Sequence, residues 1–218
     1  MWMIMKAFLS DLLSVVLGIT ITFMVQGILD RSQTKKEVRA ALELVRTELG
    51  ANIDDIGVMT GYLKEERAAA NYFINHRSTL AQCPADSVSY HSSILFADAS
   101  ISISSDALEL LKNSSLFQKI GDQSLSMKII RAYDTCQSIA AVLNQHVIDR
   151  NDHFDATVNE KTAAAFAPEG FISIQDYIVT DYGYYAVSRI TSQASIDAYA
   201  DITDIEEAVA AISAYLKD

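Results

Sequence analysis

LLSVVLGITITFMVQGILDRSQTKKEVRAALELVRTELGANIDDIGVMTGYL, Leu12 to Leu63, is the stretch that decides how this chain is built. Its first part, Leu12 to Leu29, holds no charged side chain over about 18 residues, enough for ~27 Å of helix at ~1.5 Å per residue. Reading back through Asp11 to Ala7 extends the segment to about 23 residues, sufficient to cross a bilayer. A cleaved leader has a shorter apolar core followed by a small-x-small site, and Val25-Gln26-Gly27-Ile28-Leu29 offers none. The helical pattern also runs on through Asp30 and Arg31. Residues 1–30 therefore read as a retained transmembrane anchor.

Beyond the anchor, Val38, Leu42, Val45, Leu49, Ile53, Ile56, Met59 and Leu63 step by threes and fours, with Lys35, Glu43, Arg46, Glu48, Asp54 and Lys64 between them. That period is an amphipathic helix, predicted from Thr34 to about Asn75. No proline separates it from the anchor, so the two are expected to form one long helix. Gly50, Gly57 and Gly61 weaken an extended coiled coil, and packing against later helices of the same chain is the expected use of its apolar face.

The anchor itself has a face. Ser14, Gly18, Thr22 and Gln26 recur every fourth residue, with Asp11 on the same side; small and polar side chains at that spacing let a second membrane helix approach closely. Basic residues gather on the C-terminal flank at Arg31, Lys35, Lys36 and Arg39, against Lys6 before the run. They suit lipid headgroups. By the rule that basic flanks stay cytoplasmic they point the large domain inward, with little force for so short an N-terminal tail.

The 218 residues are 50% hydrophobic and 21% charged, with two prolines and eight glycines. So few chain-breaking residues mean long elements, which favours an all-α bundle over a many-stranded sandwich. Residues 76–103 break the period: serines, Pro84 and the alternation Ile101-Ser102-Ile103-Ser104 predict an irregular loop with one short strand or extended piece. A short helix is predicted from Asp106 to Lys112, entered through Ser104 or Ser105. Asp122 caps the next, with Leu125, Ile129, Tyr133, Cys136, Ile139, Val142, Leu143, Val147 and Phe154 as its stripe, running to about Ala165. Pro168-Glu169-Gly170 reads as a turn. Ser173-Ile174-Gln175-Asp176 starts a helix towards Ser192, with room for a break near Thr180 to Gly183, and Thr203-Asp204-Ile205-Glu206 has capping-box spacing ahead of Val209, Ile212 and Leu216. The domain division is thus 1–30 anchor and 31–218 helical bundle.

A net charge of −11 repels phosphate backbones, so nucleic acid is not an expected partner. No serine sits in a Gly-x-Ser-x-Gly elbow and no Gly-rich loop precedes a Lys-Ser/Thr pair, so neither nucleophilic catalysis nor phosphate binding is signalled. His146, Asp149 and His153 fall on one helix face, with Glu160 further along, as the weak metal candidates. The two histidines stand nearly two turns apart, about 10 Å, which favours a solvated face. Tyr177, Tyr182, Tyr184 and Tyr185 cluster beside Asp176 and Asp181; helical spacing favours packing at a core edge over a binding surface. Cys83 and Cys136 are the only cysteines. A single bridge between them is the candidate disulfide, should the domain face an oxidising compartment. No cofactor is expected.

The segment LLSVVLGITITFMVQGILDRSQTKKEVRAALELVRTELGANIDDI, with Leu17-Gly18-Ile19 and the stretch Leu44 to Asn52, resembles a broad group of bacterial single-pass inner-membrane proteins with a helical domain of unknown function. ALELLKNSSLFQKIGDQSLSMKIIRAYDTCQSI in the middle is similar to that group's short helix, Ser-rich turn and helix leading to a Tyr. The likeness covers about half the chain. Gly27-Ile28-Leu29-Asp30 replaces the group's Trp-rich acidic junction, and the group's longer basic tail is missing. The resemblance implies an inner-membrane helical protein and carries over no catalytic residue. The expected function is a membrane-anchored structural or interaction module that contacts a protein partner, or self-associates through its anchor. The alternatives are a membrane-tethered small-ligand sensor and a metal-dependent enzyme using His146 and His153.

Overall fold

The structure, a computed structural model, describes residues 2–95, 97–162, 181–192 and 200–217, with side chains described at all of these except 2–31, 153–162, 182 and 192. Every regular element among the described residues is helical. Helix α1 runs unbroken from Trp2 to His76, 75 residues, or about 110 Å at the α-helical rise. The expected continuity of anchor and bundle helix holds in the backbone. Among residues with described side chains, no helix is long and apolar enough to cross a membrane. The side chains of residues 2–31, including the Ser14, Gly18, Thr22 and Gln26 stripe, lie outside the described residues.

After α1 come a short 3-10 turn at Leu80–Gln82, α2 (Ala85–Leu95), an extended strap over residues 97–105, α3 (Asp106–Asn113), a second 3-10 turn at Phe117–Lys119, α4 (Gln123–Thr162), α5 (Asp181–Ser192) and α6 (Thr203–Tyr215). Gly121 takes φ +74°, the left-handed turn that leads into α4. Asp122 then caps α4, its Oδ1 accepting the Leu125 N–H at 3.0 Å. α4 is helical through Thr162, and its predicted end near Ala165 lies outside the described residues. The Pro168-Glu169-Gly170 turn and the helix start at Ser173 lie outside the described residues.

The apolar stripe of α1 packs inward as its spacing requires. Val38, Leu42, Val45, Leu49, Ile56, Met59 and Leu63 are buried, with Ile53 at the margin. Against them lie Ile101 of the strap, Leu108 and Leu111 of α3, Leu125 to Val147 of α4, and Ile205, Ala208 and Ile212 of α6. A second core gathers at the far end of α1, where Ala69, Ala70 and Phe73 meet Leu80, Val88 and Leu95, together with Ala186, Val187 and Ile190 of α5. Arg39 donates to the Leu216 carbonyl at the end of α6, a cation placed on exposed helix-terminal acceptors.

Three expectations need correction. Most of 76–103 is not a loop, since α2 occupies its centre, and the Ile101–Ser104 alternation forms no strand. Val142 is 41% exposed and leaves the α4 stripe to Leu143, 1% exposed. The capping box at Thr203 does not form: Thr203 is already helical, and Asp201 Oδ1 instead accepts its N–H at 3.0 Å and its hydroxyl at 2.6 Å.

The register of α4 is checked by adjacent substitutions on the full chain in detergent. Leu143→Ala is expected to destabilise by about 2–5 kcal/mol, as a buried Leu truncation does, and Val142→Ala by under about 0.5 kcal/mol. Equal shifts in the urea midpoint would contradict the register.

Candidate functional site

The core stripe of α1 continues past Leu63 at the same spacing, but its next member is a carboxylate. Glu66 is fully buried between the two apolar cores, and Arg150, the position after Leu143 and Val147 on the α4 stripe, comes to meet it. Arg150 Nη1 donates to Glu66 Oε1 and, at 3.0 Å, to the Tyr62 hydroxyl. Nη2 donates to the Ala97 carbonyl and to Asn151 Oδ1, both at 2.8 Å, and Nε to Asn151 at 3.1 Å. All five guanidinium donors are thereby engaged. The other Glu66 oxygen accepts from His146 Nε2 at 2.8 Å. Tyr62, in turn, donates to the Ala97 carbonyl at 2.9 Å or that of Ile94 at 3.1 Å. Burial raises the Tyr62 hydroxyl above its ordinary pKa, against the lowering effect of Arg150.

The strap is held across α1 and α4 by side chains acting as ladder partners. Asn144 Oδ1 accepts the Ile101 N–H at 2.9 Å while its Nδ2 donates to the Ile101 carbonyl at 2.8 Å. Asn52, only 1% exposed, does the same for Ser104 at 3.1 and 2.9 Å. The alternating isoleucines read correctly as extended backbone; what sequence alone does not reveal is that two asparagines replace the neighbouring strand.

Glu48 of α1 completes the arrangement. It accepts from the Ser104 hydroxyl at 2.6 Å, the Tyr133 hydroxyl at 2.5 Å and the Ala107 N–H at 3.1 Å to each oxygen. It thus caps α3 from another helix, in place of Ser105, whose side chain makes no capping bond. Burial alone would raise the Glu48 carboxyl, but these donors outweigh it and hold the group below its ordinary value. The Tyr133 phenol is pushed far up, first by burial and then by Glu48.

The predicted site residues fall differently. His146 turns inward to Glu66, whereas Asp149 points outward and accepts from Gln145 at 2.7 Å; the His153 side chain lies outside the described residues. Among the described residues no three His, Cys, Asp or Glu side chains group as metal ligands. Cys83 and Cys136 are both free: Cys136 is sealed in the main core, where burial pushes its thiol up to about 11, and Cys83 edges the second core. Tyr184 and Tyr185 are exposed, and α5 packs through Ala186, Val187 and Ile190 instead, which corrects the core-edge reading for these two. Tyr184 lies under the Arg77 guanidinium at 4.4 Å, and Arg77 pairs with Asp181 at 2.9 Å. Tyr177 and the Tyr182 side chain lie outside the described residues.

One cleft opens beside the network. Asp55, Val58, Met59 and Tyr62 of α1 face Asp98, Ala99, Ser100, Ile101 and Ser102 of the strap across about 570 Å³. No protein-family model, curated protein or solved structure matches the chain.

Two outcomes test these roles. Arg150→Met strands the buried Glu66 carboxylate and is expected to cost about 3–5 kcal/mol, whereas Glu66→Leu combined with Arg150→Met should cost clearly less, because no charge is left unpaired. A double variant as unstable as the single one would argue against a paired network. For Glu48, the folded value lies below the ordinary 4.5, so its stabilisation is complete above that pH and is lost as pH falls through the folded value. The urea midpoints of the wild type and Glu48→Gln should therefore differ at neutral pH and converge on acidification below 4.5; a gap that is constant with pH would refute the assignment.

Proposed function

We propose that this chain is a single-pass membrane-tethered helical interaction module: Ala7 to Leu29 lies in the bilayer, and the bundle beyond is presented to a protein partner. The observation that carries the reading is the unbroken course of α1, which joins the uncharged run to the bundle core without a linker. Val38, the first buried core residue, stands nine positions after Leu29, or about 14 Å of helix. Arg31, Lys35 and Lys36 occupy that interval, where headgroups would meet them. Arg39 is already committed to α6. The bundle would therefore sit close to the membrane surface, its orientation fixed by the rod.

The polar network supports a presenting role over a catalytic one. Arg150 spends its five donors on Glu66, Tyr62, Ala97 and Asn151, and Glu66 accepts from Arg150 and His146, so the network serves to hold the bundle together. The resemblance of the N-terminal segment to bacterial inner-membrane proteins supports that membrane as the tether's location.

The reading is tested by fractionation. The full chain is expected to stay with membranes through alkaline carbonate and to leave them with detergent. Val16→Lys with Ile21→Lys, each costing about 3 kcal/mol at a helix centre, should move it to the supernatant. Release of the unaltered chain by carbonate alone would overturn the tether.

A further inference from the structure

The cleft between α1 and the strap combines three features. Val58 at its rim is 74% exposed, the highest value among the exposed large apolar side chains described, while Met59 beneath it is 4% exposed and closes the floor from the core side. Asp55 and Asp98 stand on opposite walls, and among the described residues neither forms an ion pair. Among the described residues no cation lines it, and Arg150, which bonds to Tyr62 of its lining, spends all its donors on Glu66, Tyr62, Ala97 and Asn151. The Tyr62 hydroxyl is engaged there too, leaving the cleft carboxylates and serine hydroxyls around an apolar floor.

We propose that this cleft docks a basic–aliphatic segment of a partner protein, with a lysine or arginine head between Asp55 and Asp98 and an aliphatic neighbour on Val58. The proposal rests on the interaction-module reading and names the partner's chemistry. A long cationic side chain lays its methylene stem on apolar surface while its head reaches acceptors, which matches this wall and floor. A chain carrying net charge −11 steers basic partners inward and repels acidic ones. A free polyamine shares the ammonium chemistry but has no aliphatic branch to place on Val58.

The test uses the full chain in phosphatidylcholine nanodiscs, which carry no net charge to attract the probe, and a fluorescein-labelled peptide of alternating Lys and Leu. Saturable binding is expected. Asp55→Asn with Asp98→Asn should weaken it about fivefold or more, and Val58→Ser about threefold, consistent with two exposed ion pairs and a modest apolar contact. Glu109→Gln with Asp134→Asn removes the same charge from exposed positions on α3 and α4 and should change affinity less than about twofold. All five substituted side chains are solvent-facing, and unchanged helical circular dichroism confirms folding of each variant. Equal losses in the two double variants would show diffuse attraction and overturn the site. So would an absence of saturable binding, or spermidine competition that ignores Val58→Ser, which would mark a small-amine cleft. Should the chain fail to enter nanodiscs, the tether reading falls by itself, and the same binding is measured on that chain in buffer.

Discussion

A fully buried carboxylate on a helix that otherwise buries only hydrocarbon is the constraint around which this fold is arranged. Glu66 sits where the α1 stripe would place a leucine, and removing its charge from water costs several kcal/mol unless partners replace the hydration. Arg150 and His146 of α4 supply them. Because a guanidinium is planar with fixed donor directions, satisfying it also fixes what surrounds it: Tyr62 from α1, Asn151 from its own helix, and Ala97 from the strap. One charge pair therefore sets the register of α4 on α1 and the point where the chain leaving α2 must cross. An apolar pair of equal volume could hold the helices as tightly, yet it would leave sliding by a turn less costly.

The strap shows how irregular backbone is accommodated over such a core. Extended chain lying on helices has no neighbouring strand, so its N–H and C=O groups must find side chains. Asn144 and Asn52 each offer one acceptor and one donor at the geometry of a peptide group, three residues apart along the strap. Glu48 then receives the first amides of α3, so the same helix that anchors the strap also starts the next element. Asn52, Glu48, Tyr62 and Glu66 all belong to α1, which makes that helix the template for everything from residue 97 to 113.

What could be read beforehand follows from this division of labour. The apolar stripes of α1 and α4 and the Asp122 cap depend on local periodicity and capping and are visible in sequence; the span of α3 was legible too, but its cap comes from Glu48 on another helix. α2 was not, because Ser87, Ser89, Ser92 and Ser93 crowd a helix that buries only Val88 and Leu95. Tyr184 and Tyr185 were read as core-edge residues from their helical spacing, but α5 is buried through Ala186, Val187 and Ile190. Glu66, Arg150 and Asn52 carried one usable signal, a polar residue exactly in phase with an apolar stripe. That phase distinguishes a buried network member from a surface charge, and it had to be weighed for each position rather than averaged over the helix.

The two sides of α1 then acquire different roles. Its inner side is committed, since Glu48, Asn52, Tyr62 and Glu66 all bond to partners within the bundle. Its outer side carries Val58 and Asp55 with no such commitments, and the strap, pinned by the inner network, supplies the opposing wall of the cleft. The shape of the cleft therefore depends on buried groups that never face it. On the tethered reading, a partner seated there would press on a wall held by Arg150 and Asn144 and on the same continuous helix that enters the membrane, so docking and anchoring would share one rigid element without a hinge between them.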